Sequence, residues 1–231
     1  MTAETKRLRT VWAFVGEYAS GKSENAVNAA LFLRRQGRTV TLVDLDMVEP
    51  CYTLRPLKDR LQQAGLDVVA WQTADTFGLG EAGQTIVPAA RWALRRPGDV
   101  IFDVGYGVDG SNSLRLVEGA LESPELQVVL VLNTSRPMTA SKEMMVEYLD
   151  EIGRVDAVVA NTHLMSETTP EVVREGYRLV ESLCRERQLP ILYASVSEEF
   201  HEKYPDFTLT SQDGQPVEIR VLERWMPDSF W

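Results

Sequence analysis

The sequence predicts a three-layer α/β/α domain on a mainly parallel sheet of about seven strands, with a small C-terminal appendage. Short apolar runs rich in Val, Ile and Leu lack polar alternation, as strands buried on both faces should. Longer amphipathic stretches separate them, the pattern of successive βαβ units. The chain has 231 residues of which 44% are hydrophobic, enough to build one substantial core.

The strands are expected at 10–15, 39–43, 67–70, 100–104, 127–132, 157–160 and 190–194, and the helices at 23–36, 57–64, 84–96, 113–122, 140–152 and 170–188. Gly37 follows the first helix where a left-handed cap is needed, and Thr169-Pro170-Glu171 opens the last helix with a capping hydroxyl and a proline at the first helical position. Beyond Ser195 the pattern weakens. Turn signals at Tyr204-Pro205-Asp206, Asp213-Gly214 and Met226-Pro227-Asp228 flank a hairpin pair at 207–210 and 217–222. With no internal repeat and no dividing linker, the expected organisation is a flexible N-terminus (1–9), one domain (10–195) and a C-terminal extension (196–231) packed on that domain.

Charge and composition exclude several roles. Lys and Arg number 24 against 34 Asp and Glu, and the formal charge of −10 repels nucleic-acid backbones. No apolar run approaches the roughly 20 residues needed to cross a bilayer, and the run Val11 to Val15 is too short for a signal-peptide core. A cytoplasmic protein without nucleic-acid or membrane partners is expected. Cys51 and Cys184 lack metal-ligand spacing and read as two reduced thiols. The C-terminal Trp225, Phe230 and Trp231 read either as a packed aromatic tail or as a docking peptide.

The strongest chemical signal is Gly16-Glu17-Tyr18-Ala19-Ser20-Gly21-Lys22-Ser23, which satisfies G-x-x-x-x-G-K-[ST] between a hydrophobic strand and an amphipathic helix. In this phosphate loop, or P-loop, backbone N–H groups cradle phosphates, Lys22 reaches the β and γ oxygens, and the Ser23 hydroxyl ligates Mg²⁺. A second magnesium-holding group is expected at the end of another buried strand. Asp103, in Ile101-Phe102-Asp103-Val104-Gly105, and Asp46, in Val43-Asp44-Leu45-Asp46, are the two candidates.

With these motifs in place, the chain from about Thr10 to Ala194 resembles the MinD/ParA-like ATPases with the CobQ/CobB/MinD/ParA nucleotide-binding domain. The resemblance implies a P-loop NTPase fold, ATP with Mg²⁺ as the bound nucleotide, and a protein partner or homodimer. It assigns Asp46 to the first switch (46–53), where it orients the attacking water, and Asp103 to the second (105–112) as the Walker-B acid. Asn161, in Val159-Ala160-Asn161, would contact the adenine, and the nucleotide-binding set would run from Gly16 through Ser23 to Glu24. His163 reads as a structural or surface histidine. One departure stands out: the family's signature lysine after the first loop glycine is replaced by Glu17, and Tyr18 and Ala19 replace glycines. A carboxylate beside a triphosphate is unfavourable, so Glu17 should point away, pair with a basic group or contact a partner.

The expected function is slow ATP hydrolysis as a nucleotide-dependent switch, with Lys22, Asp46 and Asp103 catalytic and Ser23, Asp103 and Asp46 at the metal. Two alternatives stand beside it. One is an ATP-dependent small-molecule kinase or ligase similar to dethiobiotin synthetase, with Arg55 and Arg115 near an anionic acceptor. The other is a sensor that binds nucleotide without turnover. The missing Asn-Lys-x-Asp motif after 155–160 favours ATP over GTP.

Overall fold

The computed structural model describes residues 9–47, 54–71 and 86–226. Eight strands in these residues form one fully parallel sheet: β1 (Val11–Gly16), β2 (Val40–Leu45), β3 (Asp67–Val69), β4 (Asp99–Val104), β5 (Leu126–Leu132), β6 (Ala157–Ala160), β7 (Ile191–Ser197) and β8 (Ile219–Leu222). Their spatial order is β3-β2-β4-β1-β5-β6-β7-β8. The chain moves from β1 to one side, returns to insert β4 beside β1, then crosses to β5 on the other side. The exit of β1 is thus a topological switch point, the crevice in which open α/β sheets hold ligands.

The helices are α1 (Lys22–Arg35), α2 (Lys58–Gln63), α3 (Gly107–Asn112), α4 (Lys142–Ile152), α5 (Pro170–Arg187) and α6 (Glu198–Lys203). They cover both faces of the sheet. On one face α1 buries Ala26, Val27, Ala30 and Leu31 against Phe14, Leu42 and Ile101. On the other, α4 and α5 bury Met145, Leu149, Val173, Val180 and Leu183 against Val15, Phe102, Leu130 and Val158. Each fully buried side chain of this size contributes about 1.5–3 kcal/mol of transfer free energy. The Thr169 hydroxyl accepts from Val172 N, the cap expected for α5.

Three segments differ from their sequence patterns for tertiary reasons. The helix expected at 84–96 is a 3₁₀ stretch, Pro88–Arg95, kinked at Trp92, with 84 and 85 outside the described residues. Ala90 and Ala93, three apart and wholly buried, suit the three-residue turn. The helix expected at 113–122 starts earlier, as α3, and closes as a 3₁₀ turn, Ser113–Leu116. There buried Val117 turns into the core and Glu118 N donates to Arg91 O at 2.8 Å.

The C-terminal hairpin pair reduces to one isolated antiparallel bridge, Thr210 to Pro216. Its second half becomes β8, which joins β7 in parallel as the eighth strand of the main sheet. This pairing occupies the outer edge of β7, which would otherwise present open hydrogen-bonding groups. Beyond β8 the chain lies back across α1, burying Trp225 and Met226. Phe230 and Trp231 of the aromatic tail lie outside the described residues, as does Cys51; Cys184 is a free, buried thiol.

Gly176 in the middle of α5 packs closely against Thr162, just beyond the end of β6. A Cβ there would lie 2.4 Å from Thr162 Cβ and 2.2 Å from its Oγ1. Alanine is intrinsically better than glycine in a helix by about 1 kcal/mol. Even so, Gly176→Ala should destabilise the fold by about 1–3 kcal/mol because the overlap forces α5 outward. Equilibrium urea unfolding checks this: a midpoint equal to or above that of the native protein would disprove the packing constraint.

Candidate functional site

The site lies along the carboxyl edge of the parallel sheet. β1 ends in Gly16, and the loop that follows reverses before α1. Ala19 has φ +57° and Gly21 has φ +85°. Gly21 is required on two counts: its backbone is left-handed, and a Cβ would lie 2.1 Å from Asn161 Nδ2. That amide nitrogen donates to Ser20 O at 2.7 Å, while Asn161 Oδ1 accepts from Ser195 Oγ at 2.7 Å. The loop is also held by Ser20 N donating to Glu17 O (3.1 Å) and by Arg136 Nε donating to Ala19 O (3.0 Å). Burial lowers the Arg136 pKa, opposed by the influence of Tyr18.

Lys22 and Ser23 open α1 where its free N–H groups and helix dipole favour an anion. Because β1 and β4 are neighbours, with Phe14 in register with Asp103, the Ser23 hydroxyl reaches across and donates to Asp103 Oδ1 at 2.9 Å. Asp103 is wholly buried, and its Oδ2 has no hydrogen-bond partner among the described residues. Burial pushes its carboxyl up to about 8; Lys22 and Ser23 pull it down, while Asp46 and Asp44 push it further up.

Asp46 leaves the end of β2 and sits 3.9 Å from Lys22 Nζ, both groups buried. Its backbone N donates to Asp44 Oδ1 at 3.0 Å, and Asp44 Oδ2 lies 3.7 Å from Arg55 Nε. The structure therefore brings together Lys22, Ser23, Asp46 and Asp103. Of the two arginines considered for an anionic acceptor, Arg55 is buried beside Asp44 and Arg115 is exposed. Residues 48–53, most of the expected first switch, lie outside the described residues.

A hard cation fits this chemistry. One hydroxyl and one carboxylate with an unengaged oxygen converge at the phosphate cradle, the sparse oxygen set that Mg²⁺ uses when phosphates and water complete its shell. No group of three or more His, Cys, Asp or Glu among the described residues makes a metal cage of protein atoms alone.

The other predicted residues take distinct places. The Glu17 side chain acts on the hydroxyl of Tyr148 on α4, whose pKa is raised by burial first and by Glu17 second. The exposed ring of Tyr18 meets Tyr106 edge-on, with centroids 5.5 Å apart. Glu24 does not face the phosphate cradle. Its carboxylate accepts backbone N–H groups from Trp225 and Met226, and burial raises its pKa against these bonds.

Beside the loop, a cavity of about 320 Å³ opens between Gly21 and Glu24 on α1, Asn161 and His163 after β6, and Leu222 and Arg224 after β8. Sequence reading names Gly21, Glu24 and Asn161 of these as site residues. Asn133 was missed as well: wholly buried at the exit of β5, its Oδ1 accepts from His163 N and its Nδ2 donates to His163 O, both at 3.3 Å. The available signal was positional, since Asn133 ends β5 as Asn161 ends β6. Arg136, Leu222 and Arg224 carried no local signal, because distant chain segments bring them to the loop.

No family model matches the sequence, and no curated protein matches it. Solved structures share the fold. The signal recognition particle receptor FtsY from Elizabethkingia anophelis, in complex with GDP, superposes with a TM-score of 0.58 at 20% identity, covering 84% of this chain and 60% of that one. FtsY from Thermotoga maritima gives 0.55 at 18% identity over 82% and 62% of the two chains. Chloroplast FtsY from Physcomitrella patens gives 0.54 at 18% over 81% and 58%. This chain thus matches about three fifths of the length of these structures. The likeness shows the α/β fold with its parallel sheet, and no helix among the described residues is long and apolar enough to cross a membrane.

His163 gives the site a pH signature. Burial, with Arg136 and Arg224 adding to it, lowers its pKa from 6.5 to about 4. The folded state therefore resists a proton that the unfolded chain accepts. The stability from this group is fully present above pH 6.5 and is lost as pH falls through about 4. Proton NMR should show the His163 ring titrating near 4, and His163→Gln should remove that part of the loss of stability between 6.5 and 4. A midpoint at or above 6.5 would contradict the half-buried, cation-flanked placement.

Proposed function

We propose that the chain binds ATP with Mg²⁺ and hydrolyses it slowly as a nucleotide-dependent switch for a protein partner. The observation that carries the reading is the 2.9 Å hydrogen bond from Ser23, at the start of α1, to Asp103 on β4, the strand beside β1, with the Lys22 and Asp46 charges 3.9 Å apart beside it. A glycine turn serving the fold alone gives no reason to bury three carboxylates and a lysine together, since each buried charge is costly to desolvate.

In this reading the N–H groups at 19–23 and Lys22 bind the β and γ phosphates and neutralise charge as the terminal P–O bond breaks. Ser23 and Asp103 would hold the Mg²⁺, which supplies charge neutralisation at the phosphates. Asp46 orients the attacking water in line with the leaving oxygen. Tyr106, at the head of the second switch and against Tyr18 of the loop, couples that segment to the phosphates. Asn161 braces the loop with its amide and keeps one N–H and one lone pair for the base.

The narrower MinD/ParA likeness rests on these motifs and on the strand order around β1. The preference for ATP is supported by the β6 exit, Asn161-Thr162-His163-Leu164, which lacks the lysine and aspartate that read guanine. FtsY from Elizabethkingia anophelis carries GDP on the same fold, so the base is the point to test. Buried Arg55 beside Asp44 favours one second reading, phosphoryl transfer to an anionic metabolite, which predicts ADP release that depends on that metabolite.

Calorimetry with ATP, GTP and ADP in Mg²⁺, paired with turnover assays, tests the assignment. Lys22→Ala should weaken ATP binding by about 100-fold or more. Asp46→Asn should bind within a few-fold of native and lose on the order of 10²–10³-fold in turnover. Native protein that binds no nucleotide would overturn the reading, and tighter GTP than ATP binding would overturn the base assignment.

A further inference from the structure

The helix that carries Lys22 and Ser23 also grips the far end of the chain. Glu24 Oε1 accepts from Trp225 N at 3.0 Å and from Met226 N at 2.7 Å, and Oε2 accepts from Trp225 N at 3.1 Å. One turn later Asn28 clasps Glu223 in both directions: Nδ2 donates to Glu223 O and Oδ1 accepts from Glu223 N, each at 2.9 Å. The Arg60 guanidinium closes over the Trp225 ring at 4.0 Å, and Arg35 pairs with Glu223. These contacts fasten 223–226 to α1 at Glu24, Asn28 and Arg35, about three helical turns, and to α2 at Arg60.

The fastened segment lines the cavity beside the P-loop. Leu222, Glu223 and Arg224 line it together with Asn161 and His163, with Gly21 and Glu24 at the start of α1, and with Glu198, Glu199 and Glu202 of α6. The cavity's volume of about 320 Å³ and its position at the loop end suit the base and ribose of a nucleotide whose phosphates lie on the loop. Leu222 offers apolar surface, and the planar cation of Arg224 is suited to lie against a π-face.

We infer that Glu24 is a positioning residue for nucleobase recognition: it holds the C-terminal segment so that Leu222 and Arg224 form one wall of the base pocket. The inference rests on the nucleotide-binding reading above and adds to it the residue that builds that wall. Glu24 acts through the segment and touches neither phosphate nor metal. The base pocket is therefore assembled from opposite ends of the sequence, and the phosphate cradle is complete without the C-terminal part.

That division sets the test. Binding of Mg·ATP and of Mg·tripolyphosphate, which has phosphates and no base, is measured by calorimetry on the native protein and on Glu24→Ala, Glu24→Gln and Asn28→Ala. Glu24→Ala should lose about tenfold or more in ATP affinity and keep its tripolyphosphate affinity within about twofold. Glu24→Gln should stay within about threefold of native for ATP, because one amide oxygen can still take both N–H groups. Asn28→Ala, which frees Glu223, should shift ATP binding in the same direction as Glu24→Ala. It decides the matter if Glu24→Ala does not fold.

Equal losses for ATP and tripolyphosphate would overturn the inference, as would native-like ATP binding by Glu24→Ala or a Gln variant no better than Ala. If the native protein binds tripolyphosphate but gains nothing from the base, the pocket assignment fails while the phosphate site stands. If it binds neither, the nucleotide reading itself fails.

Discussion

The site depends on one contact: the Asn161 amide reaching over Gly21 to Ser20 O, with Ser195 holding its other end. A P-loop must keep its N–H groups pointing inward although few of them bond within the protein. This loop is held in that shape by a side chain from β6, itself held from β7. Gly21 is the hinge of the arrangement, because any Cβ would occupy the space of the Asn161 nitrogen. Arg136 makes the equivalent tie from beyond β5. The loop is therefore preformed by the strands on one side of β1, and its charged partners come from the strands on the other.

Those charges explain the burial pattern at the end of β4. Asp103 sits in a wholly buried position with one oxygen engaged by Ser23 and the other unengaged among the described residues. Its raised pKa is the cost of that burial, and Asp44 and Asp46 nearby add to it. A compact cation between a hydroxyl, a carboxylate and phosphates would remove the penalty that a protein-only site leaves in place. Glu17, the second residue of the loop, raises the pKa of the Tyr148 hydroxyl after burial, while the Tyr18 ring meets Tyr106.

The cavity beside the loop has another origin. Its walls come from the exits of β6 and β7 and from the segment after β8, which Glu24 and Asn28 draw onto α1. The C-terminal part, with no recognisable pattern of its own, becomes an edge strand and a pocket wall once α1 and β7 are in place. Bonding of this kind, between residues about 200 positions apart, ties the start of one helix both to the loop and to the cavity beside it.

By itself the sequence determined the parallel α/β architecture, the P-loop and the two acids beyond it. These features are written in local chemistry: Val- and Ile-rich strands, a glycine-lysine-serine turn, and aspartates at strand ends. It also placed Asn161 at the site, without disclosing that the side chain braces the loop. Tertiary structure alone decided that β4 lies beside β1, which sets the Ser23-to-Asp103 contact, and that β8 joins the sheet. It also decided that Glu24 serves the C-terminal segment, and that 88–95 and 113–116 tighten into 3₁₀ turns to seat Ala90, Ala93 and Leu114. The physical reason is the same in each case. Periodicity and turn chemistry report which face a residue shows, whereas its partner is set by strand order and by the competition of distant segments for the same buried surface.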